Sequence, residues 1–352
     1  MSWLHLWVGL SAGLLFALIG LSGTVLVFHQ DLLRAQHPQL WIPAPTVDGE
    51  VLTRVLERWV PQGLTAIDLP RGSLPVYQAY FADEGRRYFD PASGDLLLSR
   101  HSDDDVLLWL HELHTALLGG DAGHELVGGV GWIALGMLLT GLYLWWPALG
   151  RVLAQLRMYR RPPVRRWLTW HRSTGALTVP LLMLATATGV GMIYHDGART
   201  LLTGVFGGDE GPAAPRLDTT QDQPPDWPRV LATAQSALPG AEFTRLSPPA
   251  EGSDVIGFRA RVGAEWHPNG RSLVFTDRAG ERLLLVHDAT GQLPGARVTE
   301  AIYPLHIGAV GGPLYRCLTA LSGLLPAFLL VSGYLFWRRR RGKGRPGCGP
   351  RP

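Results

Sequence analysis

The chain has 352 residues, of which 46% are hydrophobic and 17% are charged, and its formal net charge is +3. This composition is too apolar for an ordinary soluble protein and too polar for a bundle made only of membrane helices, so membrane spans must alternate with soluble segments. Because arginines beside the apolar segments supply most of the positive charge, the composition disfavours nucleic-acid binding. Two cysteines are too few for a disulfide framework.

Four apolar segments are long enough to cross a bilayer as helices. They are Trp3 to Phe28, Leu126 to Trp146, Thr174 to Tyr194 and Leu314 to Trp337. The first could instead be a secretory signal peptide, but its apolar run is longer than a signal core and no basic stretch precedes it, which favours a retained anchor. Arginines are concentrated between the second and third spans and after the fourth, so both ends of the chain are predicted to be cytoplasmic.

The long segments between the spans have the composition of small mixed domains. Each contains an amphipathic helix candidate, Glu50 to Trp59 or Arg229 to Leu238, and short runs rich in Val, Tyr and Phe that predict strands. The predicted fold class is therefore membrane α-helical, with four transmembrane helices and two small α+β extracytoplasmic modules. In chain order the predicted parts are a first span (1–29), an outside module (30–105), an interfacial helix and second span (106–146), a basic loop (147–166), a third span (167–195), a second module (196–303), a fourth span (304–337) and a basic tail (338–352).

The spans also show an internal repeat. The first and third carry a histidine, a hydroxyl-glycine pair and a second histidine at identical offsets: His5, Ser22-Gly23 and His29 correspond to His171, Thr188-Gly189 and His195. The second and fourth likewise match His114 and Thr140-Gly141 with His306 and Ser332-Gly333. These coincidences predict two copies of one unit made of a span, an outside module and a second span.

Several of these motifs resemble those of a known family. Leu113-His114 followed by Gly119-Gly120, Trp170-His171 at the start of the third span, and Leu305-His306 before the fourth are similar to the PepSY-associated transmembrane family. The resemblance extends over nearly the whole chain to Arg341, although the basic stretch that usually precedes the first span is absent. It implies a bacterial inner-membrane protein with PepSY-like modules, linked to iron uptake, in a family that includes haem-containing siderophore reductases.

The internal repeat relates histidines of different spans to one another in pairs. A pseudo-twofold axis would bring His5 near His171, and such paired neutral imidazoles are the axial ligands that a b-type haem needs. The corresponding outer pairs are His114 with His306 and His29 with His195. His5 and His29 are 24 residues apart, about 36 Å along a helix, so they lie at opposite faces of the membrane.

We therefore predict two haem b groups. His5 and His171 are assigned to the cytoplasmic side, and His114 and His306 are the first choice outside. His29 and His195 either form a further pair or each join a neighbour, such as His29 with His114. His111 and His124 lack counterparts in the fourth span and are weaker candidates.

Other interpretations stay open at this level. A lone histidine beside a span is more often an amphipathic interfacial residue, and His37, His101, His267 and His287 are predicted to lie at the surface. A zinc or iron site built from His111, Glu112, His114, Asp121 and His124 is a weaker alternative.

The matched glycines Gly9, Gly23, Gly175 and Gly189 suit either a bulky macrocycle or close helix packing. Six arginines of the modules could attract an anionic chelate, although a solvated charged face is the commoner role: Arg71, Arg86, Arg87, Arg259, Arg261 and Arg271.

No nucleotide-binding motif is present, so electrons would come from a cytoplasmic reductase or from membrane quinol. The predicted function is transfer of these electrons to a periplasmic acceptor, a ferric siderophore by the family resemblance. The alternative is a membrane scaffold whose PepSY-like modules bind or regulate a peptidase or another envelope protein. The scaffold requires no haem.

Overall fold

The computed structural model describes residues 2–42, 47–147, 149–208, 211–217, 223–263 and 265–342, so the end of the predicted tail, 343–352, lies outside it. The described chain divides into two compact units. We call residues 2–27, 110–195 and 305–342 the membrane unit, and residues 28–109 and 196–304 the sheet unit. The division falls inside three helices, α4 (Val106–Ala116), α8 (His195–Phe206) and α10 (Pro294–His306).

The membrane unit contains four helices that are long and apolar enough to cross a membrane. They are α1 (Ser2–Leu26), α5 (Gly120–Trp145), α7 (Pro163–Ile193) and α11 (Gly312–Gly342). Helix α1 packs against α5 and α11, and α7 packs against the same two helices. The predicted spans lie inside these helices except at the terminal residues Val27, Phe28, Trp146 and Tyr194, and α7 and α11 extend further because their arginine-rich ends continue the helix.

Close packing of α1 on α11 depends on two glycines. A Cβ at Gly20 would overlap the carbonyl of Gly323, and a Cβ at Gly323 would overlap the carbonyl of Gly20. Arg316, the only charge predicted inside the fourth span, donates from Nε and Nη2 to the Val27 carbonyl at 3.1 and 2.9 Å. These contacts fix α11 against the end of α1, since an intramembrane guanidinium needs an acceptor.

The remaining helices are shorter. They are α2 (His29–Gln36), α3 (Gly49–Trp59), α6 (Val152–Gln155), α8 (His195–Phe206) and α9 (Trp227–Ala237). Asp48 caps α3 by accepting from the Glu50 N–H at 2.8 Å, and Asp226 caps α9 by accepting from the Arg229 N–H at 3.2 Å. The two amphipathic helices predicted from sequence therefore coincide with α3 and α9, within two residues at their ends.

The strands of both predicted modules join one antiparallel eight-stranded sheet with the order β4-β3-β2-β1-β5-β6-β7-β8. In chain order they are β1 (Leu64–Asp68), β2 (Tyr77–Phe81), β3 (Arg86–Phe89), β4 (Leu96–Arg100), β5 (Glu242–Ser247), β6 (Val255–Arg261), β7 (Ser272–Asp277) and β8 (Leu283–His287). The modules meet where Ile67 pairs with Leu246 and Asp68 pairs with Arg245. Such pairing between distant segments carries no local sequence signal, so the sequence predicts two separate modules.

One face of the sheet carries the main core. Helices α3 and α9 pack on it through Val51, Leu56, Trp227 and Val230, and the strands contribute residues such as Ile67, Leu246 and Phe258. Because successive strand residues point to opposite faces, Asp68, Arg245 and Arg259 lie on the other face.

Candidate functional site

Four repeat-matched histidines of the membrane unit form two pairs. The rings of His5 and His171 have centroids 6.5 Å apart, and those of His114 and His306 have centroids 6.0 Å apart. A metal bound to imidazole nitrogen at about 2.1 Å lies about 3.2 Å from the ring centroid, so two imidazoles on one metal have centroids up to about 6.4 Å apart. Both pairs are therefore close to the separation at which two histidines could hold one metal ion together.

Each imidazole is held through Nδ1 by a neighbouring helix. His114 Nδ1 donates to the Ile19 carbonyl at 2.8 Å, His171 Nδ1 to the Leu329 carbonyl at 3.0 Å, and His306 Nδ1 to the Ala185 carbonyl at 3.1 Å. A carbonyl oxygen can only accept, so Nδ1 carries the proton in all three rings. Nε2 is therefore the nitrogen whose lone pair is available to a metal.

A serine or threonine hydroxyl contacts every one of these Nδ1 atoms. The distances are 3.1 Å from Thr140 to His5, 3.3 Å from Ser22 to His114, 3.1 Å from Ser332 to His171 and 3.1 Å from Thr188 to His306. All four hydroxyls donate to a carbonyl of their own helix, so they accept from Nδ1–H. For His5, the Thr140 hydroxyl fixes the tautomer.

The residue after each hydroxyl is a glycine, and the imidazole lies against it. A Cβ would be 2.7 Å from His114 Cε1 at Gly23, 3.1 Å from His306 Cε1 at Gly189, 3.2 Å from His5 Cε1 at Gly141 and 3.3 Å from His171 Cε1 at Gly333. Because glycine has no side chain, the backbone carbonyl four residues earlier stays accessible. In three cases this carbonyl is the Nδ1 acceptor. Each Ser/Thr-Gly pair thus contacts one histidine, the hydroxyl at Nδ1 and the glycine at the ring. The sequence shows these pairs as motifs but does not show this role.

A cavity of about 640 Å³ opens beside the His5 and His171 pair. Gly9, Gly13 and Gly175 line it together with the two histidines, and Arg172 and Arg340 supply charged groups. Its volume is in the range of cofactor pockets, and its lining is mostly apolar with a few polar groups, as is typical of them. Gly175 therefore leaves space, a Cβ at Gly9 would lie 3.1 Å from Met137 Cε, and Gly23 and Gly189 contact histidine.

The cavity also reaches into the middle of the membrane unit. Along α1 its lining runs from Ser2 to Phe16, and Ser22, whose hydroxyl contacts His114, is six residues further. Six helical residues correspond to about 9 Å. The depth of the cavity thus leaves less than two helical turns along α1 before the level of the second pair.

The other candidate histidines have different surroundings. His124 Nδ1 donates to the Thr115 carbonyl at 3.2 Å and links α5 to the end of α4. His111 lies one turn before His114 on α4, while His29 begins α2 in the sheet unit and His195 begins α8. Within the described residues, no group of three or more His, Cys, Asp or Glu side chains is arranged to hold a metal ion.

One histidine of the sheet unit was assigned wrongly. His267, predicted at the surface, is only 5% exposed, because its loop folds under α10 and its ring stacks on Tyr303 with centroids 5.0 Å apart. Burial, followed by the charges of Arg271 and Arg259, lowers the pKa of His267 to about 3. The ring is therefore neutral at physiological pH.

Comparison with known proteins gives one family. The family described as PepSY-associated TM region matches residues 2–340. None of the curated proteins compared with the chain matches it.

Proposed function

The chain belongs to the PepSY-associated TM region family, and we propose that it is a membrane haem protein that carries electrons to an acceptor outside the cell's inner membrane. His5 with His171 would hold one haem b, and His114 with His306 a second. The observation that carries this proposal is the pairing of imidazoles at 6.5 and 6.0 Å with Nδ1 already engaged. Interfacial histidines need neither the pairing nor the fixed tautomer.

The residues of the site around His5 and His171 suit a haem in three respects. Its cavity has room for a planar macrocycle, its walls are apolar, and Arg172 and Arg340 offer guanidinium groups to the two haem carboxylates. When bound, haem supplies reversible one-electron transfer. The chain's own part is to fix the ligand rings, exclude water and set the ligand basicity through the Nδ1 hydrogen bonds.

The two sites lie at different levels of the membrane unit. His5 and Ser22, which contacts His114, are 17 residues apart on α1, about 26 Å along the helix. The cavity that extends to Phe16 supports transfer between the sites, because a macrocycle in it would occupy part of this distance. His29 and His195 follow the outer ends of α1 and α7, and we infer accessory roles for them.

The arginines support an orientation of the two sites in the membrane. The cavity with His5 and His171 is at the end of the helices where Arg340 and the other arginines of α11 lie. The positive-inside rule assigns this end and both termini to the cytoplasm. The donor would be a cytoplasmic reductase or membrane quinol, and the acceptor a periplasmic ferric chelate of the siderophore class, in iron uptake.

We further infer that the chain arose as two copies of a span, module and span. The strand order is symmetric about the β1 and β5 junction, with four strands from each copy on either side. The matched Ser/Thr-Gly pairs also contact matched histidines. Ser22-Gly23 and Thr188-Gly189 contact His114 and His306, respectively. Thr140-Gly141 and Ser332-Gly333 contact His5 and His171, respectively.

A reduced-minus-oxidised visible spectrum of the purified full chain tests the proposal. We expect a b-type signal from two haems. His5→Ala and His306→Ala should each lose a different haem, and His287→Ala, in the sheet unit, should lose none. Loss of the same haem from both variants would disprove the pairing, and a colourless protein would disprove electron transfer and favour the scaffold function. Reduction of a ferric siderophore by the dithionite-reduced protein then tests the acceptor class.

A further inference from the structure

A row of charged residues crosses the sheet on the face opposite the main core. Asp68 on β1 pairs with Arg245 on β5, and Arg245 pairs with Arg259 on β6. Arg245 donates to Asp68 from Nε at 2.6 Å and from Nη2 at 3.0 Å, which is a bidentate ion pair. Arg259, in contrast, is directly opposite another arginine. Like charges in directly opposed strand positions are destabilising.

More guanidinium groups than carboxylates surround this row. Arg71 and Arg271 lie close enough to lower the pKa of His267 together with Arg259 and Arg245. Glu300 on α10 pairs with both Arg271 and Arg199, and Glu265 accepts from the backbone N–H groups of Val262 and Arg271. Five arginines thus share three carboxylates.

Two of these arginines have no carboxylate of their own. Arg71 donates to the neutral acceptors Pro268 O at 3.0 Å and Asn269 Oδ1 at 2.6 Å. No ion pair of Arg259 occurs within the described ranges, and burial, followed by the charges of Arg271 and Arg245, lowers its pKa to about 10. A half-buried guanidinium among other guanidiniums is costly unless an anion neutralises it. Packing alone does not account for Arg259.

The neutral His267 adds an N–H donor. Its Nδ1 accepts from the Asn269 N–H at 3.1 Å, so the proton of the neutral ring is on Nε2. The ring is held by its stack on Tyr303. The cluster of Arg71, Arg245, Arg259, Arg271 and His267 therefore combines fixed N–H donors with excess positive charge.

We propose that this cluster is an oxyanion-binding site of the sheet unit, which takes a small multivalent anion of carboxylate or phosphate chemistry. The guanidinium fork matches both groups, because it presents two parallel N–H donors to two oxygens of one ligand. Arg259 makes the principal contact and Arg71 a second. The site is independent of the haem assignment, since all its residues belong to the sheet unit.

Citrate and inorganic phosphate are the probes, titrated separately into the detergent-solubilised full chain by calorimetry at constant ionic strength. We expect saturable binding of at least one anion, and the tighter one identifies the ligand chemistry. Arg259→Gln should weaken it on the order of tenfold to a hundredfold, as expected for loss of a charged hydrogen-bond donor. Arg259→Lys, which keeps the charge but not the fork, should be intermediate. Arg282→Gln, at an exposed arginine, should bind normally.

Thermal unfolding without added anion separates ligand binding from a structural role. Because Arg259 opposes Arg245, Arg259→Gln should unfold at the wild-type temperature or above it, and should lose the stabilisation that the anion gives the wild type. Arg71→Gln provides a second variant with the same expected loss of binding. Absence of saturable binding of either anion, unchanged affinity in Arg259→Gln, or a lower unfolding temperature of the anion-free variant would overturn the proposal.

Discussion

Gly23 lies directly against the imidazole of His114, and a Cβ at this glycine would be 2.7 Å from Cε1 of the ring. Alanine at this position must push His114 away from the Ile19 carbonyl, since the helix backbone cannot move aside. We expect Gly23→Ala to lose the outer haem and keep the cytoplasmic one, measured as haem per protein and by the visible spectrum. Gly129→Ala, on α5 with nothing within 4 Å of the added Cβ, is the matched control and should keep both haems.

Thr140 provides the acceptor that fixes the tautomer of His5. Thr140→Val preserves shape and removes this acceptor, so the imidazole becomes a weaker donor to ferric iron. We expect the midpoint potential of the cytoplasmic-side haem to rise and its affinity to fall by about 10- to 100-fold. Thr178→Val is the control, because that hydroxyl bonds only the Thr174 carbonyl of its own helix. An unchanged potential in Thr140→Val would show that the hydroxyl does not tune His5.

Gly175 tests whether the cavity is the site of the cytoplasmic-side haem. A Cβ here would be 3.7 Å from Leu329 Cδ2, an ordinary contact, so Gly175→Ala should be tolerated. A leucine side chain extends further into the cavity that Gly175 lines. We expect Gly175→Leu to lose the haem of His5 and His171 only, by redox titration of the remaining signal. Two haems in this variant would place the macrocycle elsewhere.

Arg100 is a buried charge of the sheet unit, 3% exposed, that donates to Asp105 at 2.7 and 2.6 Å and to Tyr88 at 2.9 Å. Arg100→Ala leaves Asp105 without its partner and should reduce the free energy of unfolding by about 3 kcal/mol or more. Amide hydrogen exchange in β3 and β4 measures this change. Glu281→Gln breaks an exposed ion pair with Arg229 and should cost less than about 1 kcal/mol.

His267 gives the stability of the sheet unit a pH dependence. Its pKa is lowered to about 3 in the folded chain, below the ordinary value near 6.5, so between these values the unfolded chain binds a proton that the folded chain does not. The free energy of unfolding should therefore fall as pH decreases below about 6.5, by up to about 1.4 kcal/mol per pH unit. Hydrogen exchange of β6 and β7 from pH 7 to 5 measures the slope. His267→Phe, which keeps the stacked ring, should flatten it.

Local signals in the sequence predict several elements of the fold. Apolar runs of more than twenty residues predicted the four membrane helices, since length and hydropathy suffice for that inference. Amphipathic periodicity predicted α3 and α9, and identical offsets related His5 to His171 and His114 to His306. Even the Ser/Thr-Gly pairs were visible as motifs, although nothing in one helix's sequence says which side chain a neighbouring helix presents to it.

The contacts that these motifs make depend on the packing of distant segments. Three contacts depend on this packing: the His114 imidazole lies against Gly23, β1 pairs with β5, and Arg245 lies opposite Arg259. His267 shows the same limit, because polar loop composition predicts exposure while the packing of α10 buries the ring. Local patterns specify elements and their apolar faces, whereas burial and hydrogen-bond partners depend on contacts between elements that follow no fixed spacing in the sequence.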